Sequence, residues 1–207
     1  MGADTSLFVD PGGTAVRIMK PLLCGHIFLI ICCIFYLIWW CFAFRPGYEG
    51  SRISGKAGFL LLITAFFGIV GVALSITGLN QPCSRAAMIP STMIVIGGIS
   101  IYLFLMIGSS VLLHRRVTTE LILIVGWLMI EFLSYQSAWC LEWLNAGITV
   151  FLMILAAAAA LLSLFFYLQY YRVSESRGYV YGMVPLITEA VCMAVFVFMC
   201  EVKLPGA

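Results

Sequence analysis

Six long apolar runs separated by short polar breaks dominate the chain, at residues 22–44, 58–79, 88–113, 117–144, 146–171 and 180–200. A helix needs about 20 predominantly apolar residues to cross a hydrocarbon core of roughly 30 Å, and each run meets that length. The breaks carry turn chemistry. Arg45-Pro46-Gly47 stops the first run and Asn80-Gln81-Pro82 the second, because proline cannot continue a helical hydrogen-bond ladder. His114-Arg115-Arg116 parts the third from the fourth, Asn145 with Gly147 marks a tight turn, and residues 172–178 form the last loop. The other structure able to span a bilayer is a closed β-barrel. Barrel strands alternate apolar and polar positions over about 10 residues, whereas these runs are continuously apolar. The pattern therefore predicts an all-α fold, a polytopic membrane bundle of six transmembrane helices over residues 22–200. A polar tail or interfacial segment precedes it at 1–21, and a short tail follows at 201–207.

Composition agrees with the pattern. Of 207 residues, 63% are hydrophobic and 10% charged, against roughly 25% charged in an average soluble domain. A soluble fold of this size could not enclose so much apolar surface, so the principal partner is the lipid bilayer. A formal net charge of +2 offers nothing for nucleic acid to recognise. The first apolar run is too long for the h-region of a signal peptide. The opening Met1-Gly2-Ala3-Asp4-Thr5-Ser6 fits the N-myristoylation pattern.

Lysine and arginine in the short loops set orientation. One face would hold Arg45, Arg52, Lys56, Arg115, Arg116, Arg172 and Arg177; the other Arg17, Lys20, Arg85 and Lys203. The excess predicts both termini outside, in a plasma or inner membrane. Tyr36, Trp39 and Trp40 late in the first run, Tyr167, Tyr170 and Tyr171 late in the fifth, and Trp139 and Trp143 opposite them read as interfacial anchors.

An offset of 95 residues carries Met88-Ile89-Pro90, which opens the third run, onto Met183-Val184-Pro185 in the sixth. Two three-helix units so related have opposite topology, a 3+3 inverted repeat of the kind found in transporters. Proline in the first turn of a helix also has local reasons of its own.

Charged side chains at bilayer depth cost several kcal/mol, which makes them candidates for function. Glu131 lies near the centre of the fourth run and Glu189 near the centre of the sixth. Glu120 and Glu142 stand eleven residues either side of Glu131. Eleven residues make about three helical turns, so all three would share one face with Trp127 and Tyr135, although Glu120 and Glu142, near the interfaces, read more simply as solvated helix ends. Pro185 lies one turn before Glu189, with Thr188 beside it, and would loosen the ladder there. Pro90 and the paired Gly97 and Gly98 of the third run are the other expected kink or gating positions. The competing account for the glutamates is structural: a membrane carboxyl hydrogen-bonded to a neighbouring helix ties the bundle together by about 0.6–2 kcal/mol.

Gly68, Gly71, Ser75 and Gly78 in the second run, and Ala156 to Ala160 in the fifth, form small-residue faces. Such faces suit packing inside the bundle or against a homodimeric or heteromeric partner. The eight cysteines lie mainly within apolar runs, with Cys83 in a loop, and form no CxxC pair; no disulfide framework, metal site or cofactor is expected. Of the two histidines, His114 lies in a break and His26 reads as interfacial. No HExxH, GxSxG or phosphate-binding loop appears. The expected function is a small transporter or channel for a cation or small solute, using the midplane glutamates. A membrane subunit of a larger complex and an intramembrane lipid-modifying enzyme are the alternatives, the enzyme being the less favoured.

Overall fold

The computed structural model describes residues 11–47, 50, 53, 55–79, 85–113, 119–170 and 172–202. Outside the described residues lie the acylation pattern, the breaks at 80–82 and 114–116, and Cys83. Arg52, Arg115, Arg116 and Lys203 of the charge count, the anchor Tyr171, and the side chains of Arg17 and Glu120 are outside them as well. The described residues are helical without strands: α1 (Pro11–Ala43), α2 (Gly55–Leu79), α3 (Ser91–Leu113), α4 (Thr119–Cys140), α5 (Ala146–Tyr170), α6 (Glu175–Tyr181) and α7 (Met183–Glu201). The last two make one membrane-length element, so six are long and apolar enough to span a bilayer. The protein is an integral, multi-pass membrane protein.

Three helix ends differ from the sequence expectation for identifiable reasons. α1 starts at Pro11 and carries Pro21 inside it; proline suits the first helical position, where the missing N–H would be unpaired anyway. α4 stops at Cys140 rather than continuing to 144. Glu142 takes a left-handed conformation at φ 61°. The Trp143 amide then donates to the Ala138 carbonyl at 2.9 Å and the Glu142 amide to the Trp139 carbonyl at 3.0 Å, which is the Schellman closure of a helix. The sixth apolar run breaks at Gly182 into α6 and α7.

The early end of α4 corrects the expected face of three glutamates. Glu142 is off the helix and half exposed, its carboxylate accepting a 2.9 Å hydrogen bond from the Arg85 guanidinium, which in turn lies over the Trp139 ring at 5.0 Å. An exposed pair of this kind contributes about 0–1 kcal/mol.

The core belongs to α1, α4, α5 and α7, where Met19, Leu22, Trp127, Tyr135, Leu152 and Phe196 are buried together. α2 packs chiefly on α1, and α3 chiefly on α4. Both peripheral helices present large apolar side chains outward, among them Phe59, Phe66, Ile69, Met93, Phe104 and Ile107. Surface of that extent is a liability in water and normal in hydrocarbon.

The small-residue face of α2 is used within the bundle. A Cβ on Gly71 would meet Leu29 at 2.8 Å and one on Gly78 would meet Leu22 at 2.8 Å. The answering residue on α1 is Gly25, whose Cβ position lies 2.5 Å from Ser75 Oγ, 2.7 Å from Ser75 N and 2.9 Å from the Gly71 carbonyl oxygen. Two of those neighbours are backbone and cannot rotate away. Gly25→Val should therefore separate α1 from α2 and cost about 1–3 kcal/mol, read as earlier unfolding in mixed-micelle titrations; an unchanged transition would refute the close approach. On α5, Ala156, Ala159 and Ala160 are likewise buried in the core.

Candidate functional site

Among the described residues, one histidine and two carboxyls lie deep in the spans: His26 on α1, Glu131 on α4 and Glu189 on α7. Successive spans run in opposite directions, α6 and α7 counting as one, so the start of α1 and the ends of α4 and α7 share one membrane face, here the near face. The Trp143 indole, just past α4, donates to the Cys200 carbonyl at the end of α7 at 3.1 Å there. His26 is seven residues inside the span Met19–Ala43 and Glu131 nine residues from the end of Leu121–Cys140. At 1.5 Å per residue these are depths of roughly 10 and 13 Å, and the two side chains meet.

His26 corrects the interfacial reading: it is fully buried. Its Nδ1 lies 2.8 Å from the Leu22 carbonyl oxygen. A carbonyl can only accept, so Nδ1 carries a proton and donates. The other nitrogen, Nε2, faces Glu131 Oε1 at 3.4 Å, an ion-pair distance outside good hydrogen-bond geometry. One proton then serves both groups. With it on Nε2 the pair is imidazolium and carboxylate; with it on Oε1 it is imidazole and carboxylic acid. The sum of charges is zero either way, and neutrality makes the pair tolerable in a medium where a lone charge is strongly penalised. Phe196 packs on the imidazole at 4.7 Å and on Tyr135 at 5.0 Å, closing the site to water. Tyr135, one turn beyond Glu131, is buried on the same side of α4, and Trp127 completes that inner face.

Glu189 is twelve residues from either end of the span Arg177–Glu201, about 18 Å from each, the centre of the bilayer. It is 7% exposed, and neither ion pair among the described residues uses it. Its exposure is to a cavity of about 310 Å³ whose lining includes Trp40, Phe44, Tyr170, Gly182, Pro185 and Glu189. Those residues lie at the far-face ends of α1 and α5 and along the first half of α7. The cavity thus runs from the far face to the midplane, with Glu189 at its foot and the His26–Glu131 pair beyond, towards the near face. Glu131 is within electrostatic reach of Glu189 but does not line the cavity.

The remaining expected positions separate. Pro185 lines the cavity. Thr188 faces α5, its hydroxyl 3.1 Å from that of Ser163 while also donating to the carbonyls of Val184 and Pro185. Gly98 lies under the Met129 side chain, and Gly97 faces open space. Pro90 precedes α3, its carbonyl accepting the Met93 amide at 2.8 Å; it ends just outside its helix, whereas Pro185 lies just inside α7. Trp39, Trp40, Tyr167 and Tyr170, expected as anchors, turn inward to the cavity wall.

No family model, no curated protein and no solved structure matches the chain. What the site can do therefore rests on its own geometry: a protonatable pair sealed in the core, and a carboxyl reachable from one side.

Position alone, early in the first run, places His26 at the interface. The signal was present in the balance of charge, one base and two acids being the ionisable residues well inside the spans. The pairing needed knowledge of which helices touch. The local device at the cavity mouth is equally tertiary. Trp40 donates its indole N–H to the Tyr179 carbonyl at 2.9 Å and lies across Gly182, where any Cβ would overlap its ring. Gly182→Val should push that indole off α7 at a cost of about 1–3 kcal/mol, with a shift in tryptophan emission that a Trp40→Phe background removes. A shift that survives in that background would place the disturbance elsewhere.

Proposed function

We propose that this protein is a small transporter that exchanges a cation or small cationic solute for protons, with Glu189 as the loading site and the His26–Glu131 pair as the proton-holding element. The observation that carries the reading is the arrangement in depth: an accessible carboxyl at the midplane, within electrostatic reach of a sealed neutral pair. A buried carboxyl without a counter-charge holds either a proton or a cation. Arrival of a cation at Glu189 from the far face releases that proton. The pair behind it can take up or give up one proton, changing from neutral to charged and so favouring one packing of the core over another. Movement of α1 against α7, which pack on each other beside the cavity, would expose Glu189 to the near face. The loop charges favour a cytoplasmic far face and both termini outside.

The test is a reconstituted vesicle with an imposed pH gradient. Cation flux should follow the gradient and reverse when it is reversed, and Glu131→Gln should uncouple it. Flux indifferent to the gradient, or unaltered in both Glu131→Gln and Glu189→Gln, would remove the proposal.

A further inference from the structure

We infer that the far-face cavity binds an alkylammonium group, its carbon atoms against aromatic faces and its charge answered by Glu189. The inference rests on the proposed role of Glu189 as a cation site and adds the chemistry of the cation. Six of the cavity's lining residues are aromatic: Tyr36, Trp39, Trp40, Phe44, Tyr167 and Tyr170. Five of these rings brace one another before any ligand arrives, Tyr36 lying 5.0 Å from Trp39. Trp40 stacks on Phe44 at 4.1 Å and meets Tyr170 edge-on at 5.7 Å, while Trp39 meets Phe44 edge-on at 5.5 Å. A wall of locked rings can receive a ligand at small cost in side-chain entropy.

The lining discriminates between cation types. Calcium demands six to eight oxygen ligands and magnesium an octahedron of them; here Glu189 is the one carboxylate among the lining residues, and the other polar side-chain groups are phenols and indoles. Alkylammonium ions hold their water weakly, and aromatic faces attract them through the ring quadrupole. An anion would meet Glu189 without a compensating positive charge, since the His26–Glu131 pair satisfies itself and no lysine, arginine or histidine lines the cavity. A neutral apolar ligand would leave the carboxyl unanswered. At about 310 Å³ the space lies at the lower end of small-molecule sites, suited to a compact amine or quaternary ammonium. The same group occurs on free solutes and on the headgroups of choline lipids.

The experiment uses the full chain in phosphatidylglycerol nanodiscs, which contain no ammonium. Choline is titrated against neohexanol, its uncharged carbon isostere, by calorimetry and by tryptophan emission. Choline should bind with neohexanol at least tenfold weaker. Trp39→Phe should retain binding, Trp39→Leu should weaken it roughly tenfold, and Glu189→Gln should abolish it with the thermal transition unchanged. Equal binding of the two probes, or choline binding that survives Glu189→Gln, overturns the inference. Repeating the titration in phosphatidylcholine nanodiscs distinguishes the sources: free choline still binds if the ligand is a solute, and is excluded if the headgroup already occupies the cavity. Choline binding without pH-driven flux would retain the ligand and remove transport. Coupled flux of another cation without choline binding would do the reverse.

Discussion

Replacing His26 by leucine should lower the unfolding free energy by about 3–5 kcal/mol, the cost of leaving one member of a buried pair unanswered. Glu131 has no exposure to solvent, and its one ion-pair partner among the described residues is His26. Glu131→Leu should cost less, because a neutral imidazole keeps its hydrogen bond to the Leu22 carbonyl and loses only its partner at Nε2. The double variant His26→Leu/Glu131→Leu should recover most of the loss, since well-packed apolar side chains commonly replace a buried pair without penalty. Unfolding of the four proteins in mixed micelles gives the coupling directly. Additive losses would mean that the two side chains are neighbours without being partners.

Glu189→Gln should have the opposite signature. The amide matches the carboxyl in volume, and the side chain has no ion pair among the described residues to lose, so stability should change by less than about 1 kcal/mol. Coupled flux should fall to the level of protein-free vesicles, because an amide neither releases a proton nor neutralises a cation. Glu189→Asp keeps the charge but withdraws it by one methylene, and should retain coupling with weaker substrate affinity. A large loss of stability in Glu189→Gln would show that the carboxyl holds the helices together, and would move Glu189 from function to architecture.

The contrast between the two acids was half legible in the sequence. Depth in the membrane is a matter of counting along an apolar run, and counting puts Glu131 and Glu189 near the middle. The faces are legible too, since α4 does turn Trp127, Glu131 and Tyr135 inward together. Partnership is not. His26, Cys33 and Trp40 stand seven residues apart on α1, and whether that stripe meets lipid, α4 or α7 is decided by helix packing that no local pattern records. The end of α4 escaped for a different reason: Glu142 occupies a backbone conformation usually given to glycine, so the stop carried no glycine to announce it. Trp39 and Trp40 line the cavity at the far-face end of α1, a second use the sequence does not distinguish because the same amphipathic ring suits a headgroup layer and a cavity wall.

The His26–Glu131 pair also has a consequence for how the chain is made. α4 is the least apolar of the six spans, and a charged residue at its centre works against entry into lipid from the translocon. By the time α4 emerges from the ribosome, α1 has already been delivered to the membrane, carrying His26 at nearly the same depth. The first helix thus waits with the counter-charge that the fourth requires, and acts as an insertion aid for a segment synthesised a hundred residues later. A defect at position 26 would then first appear as a misthreaded newborn chain, well before any solute is moved.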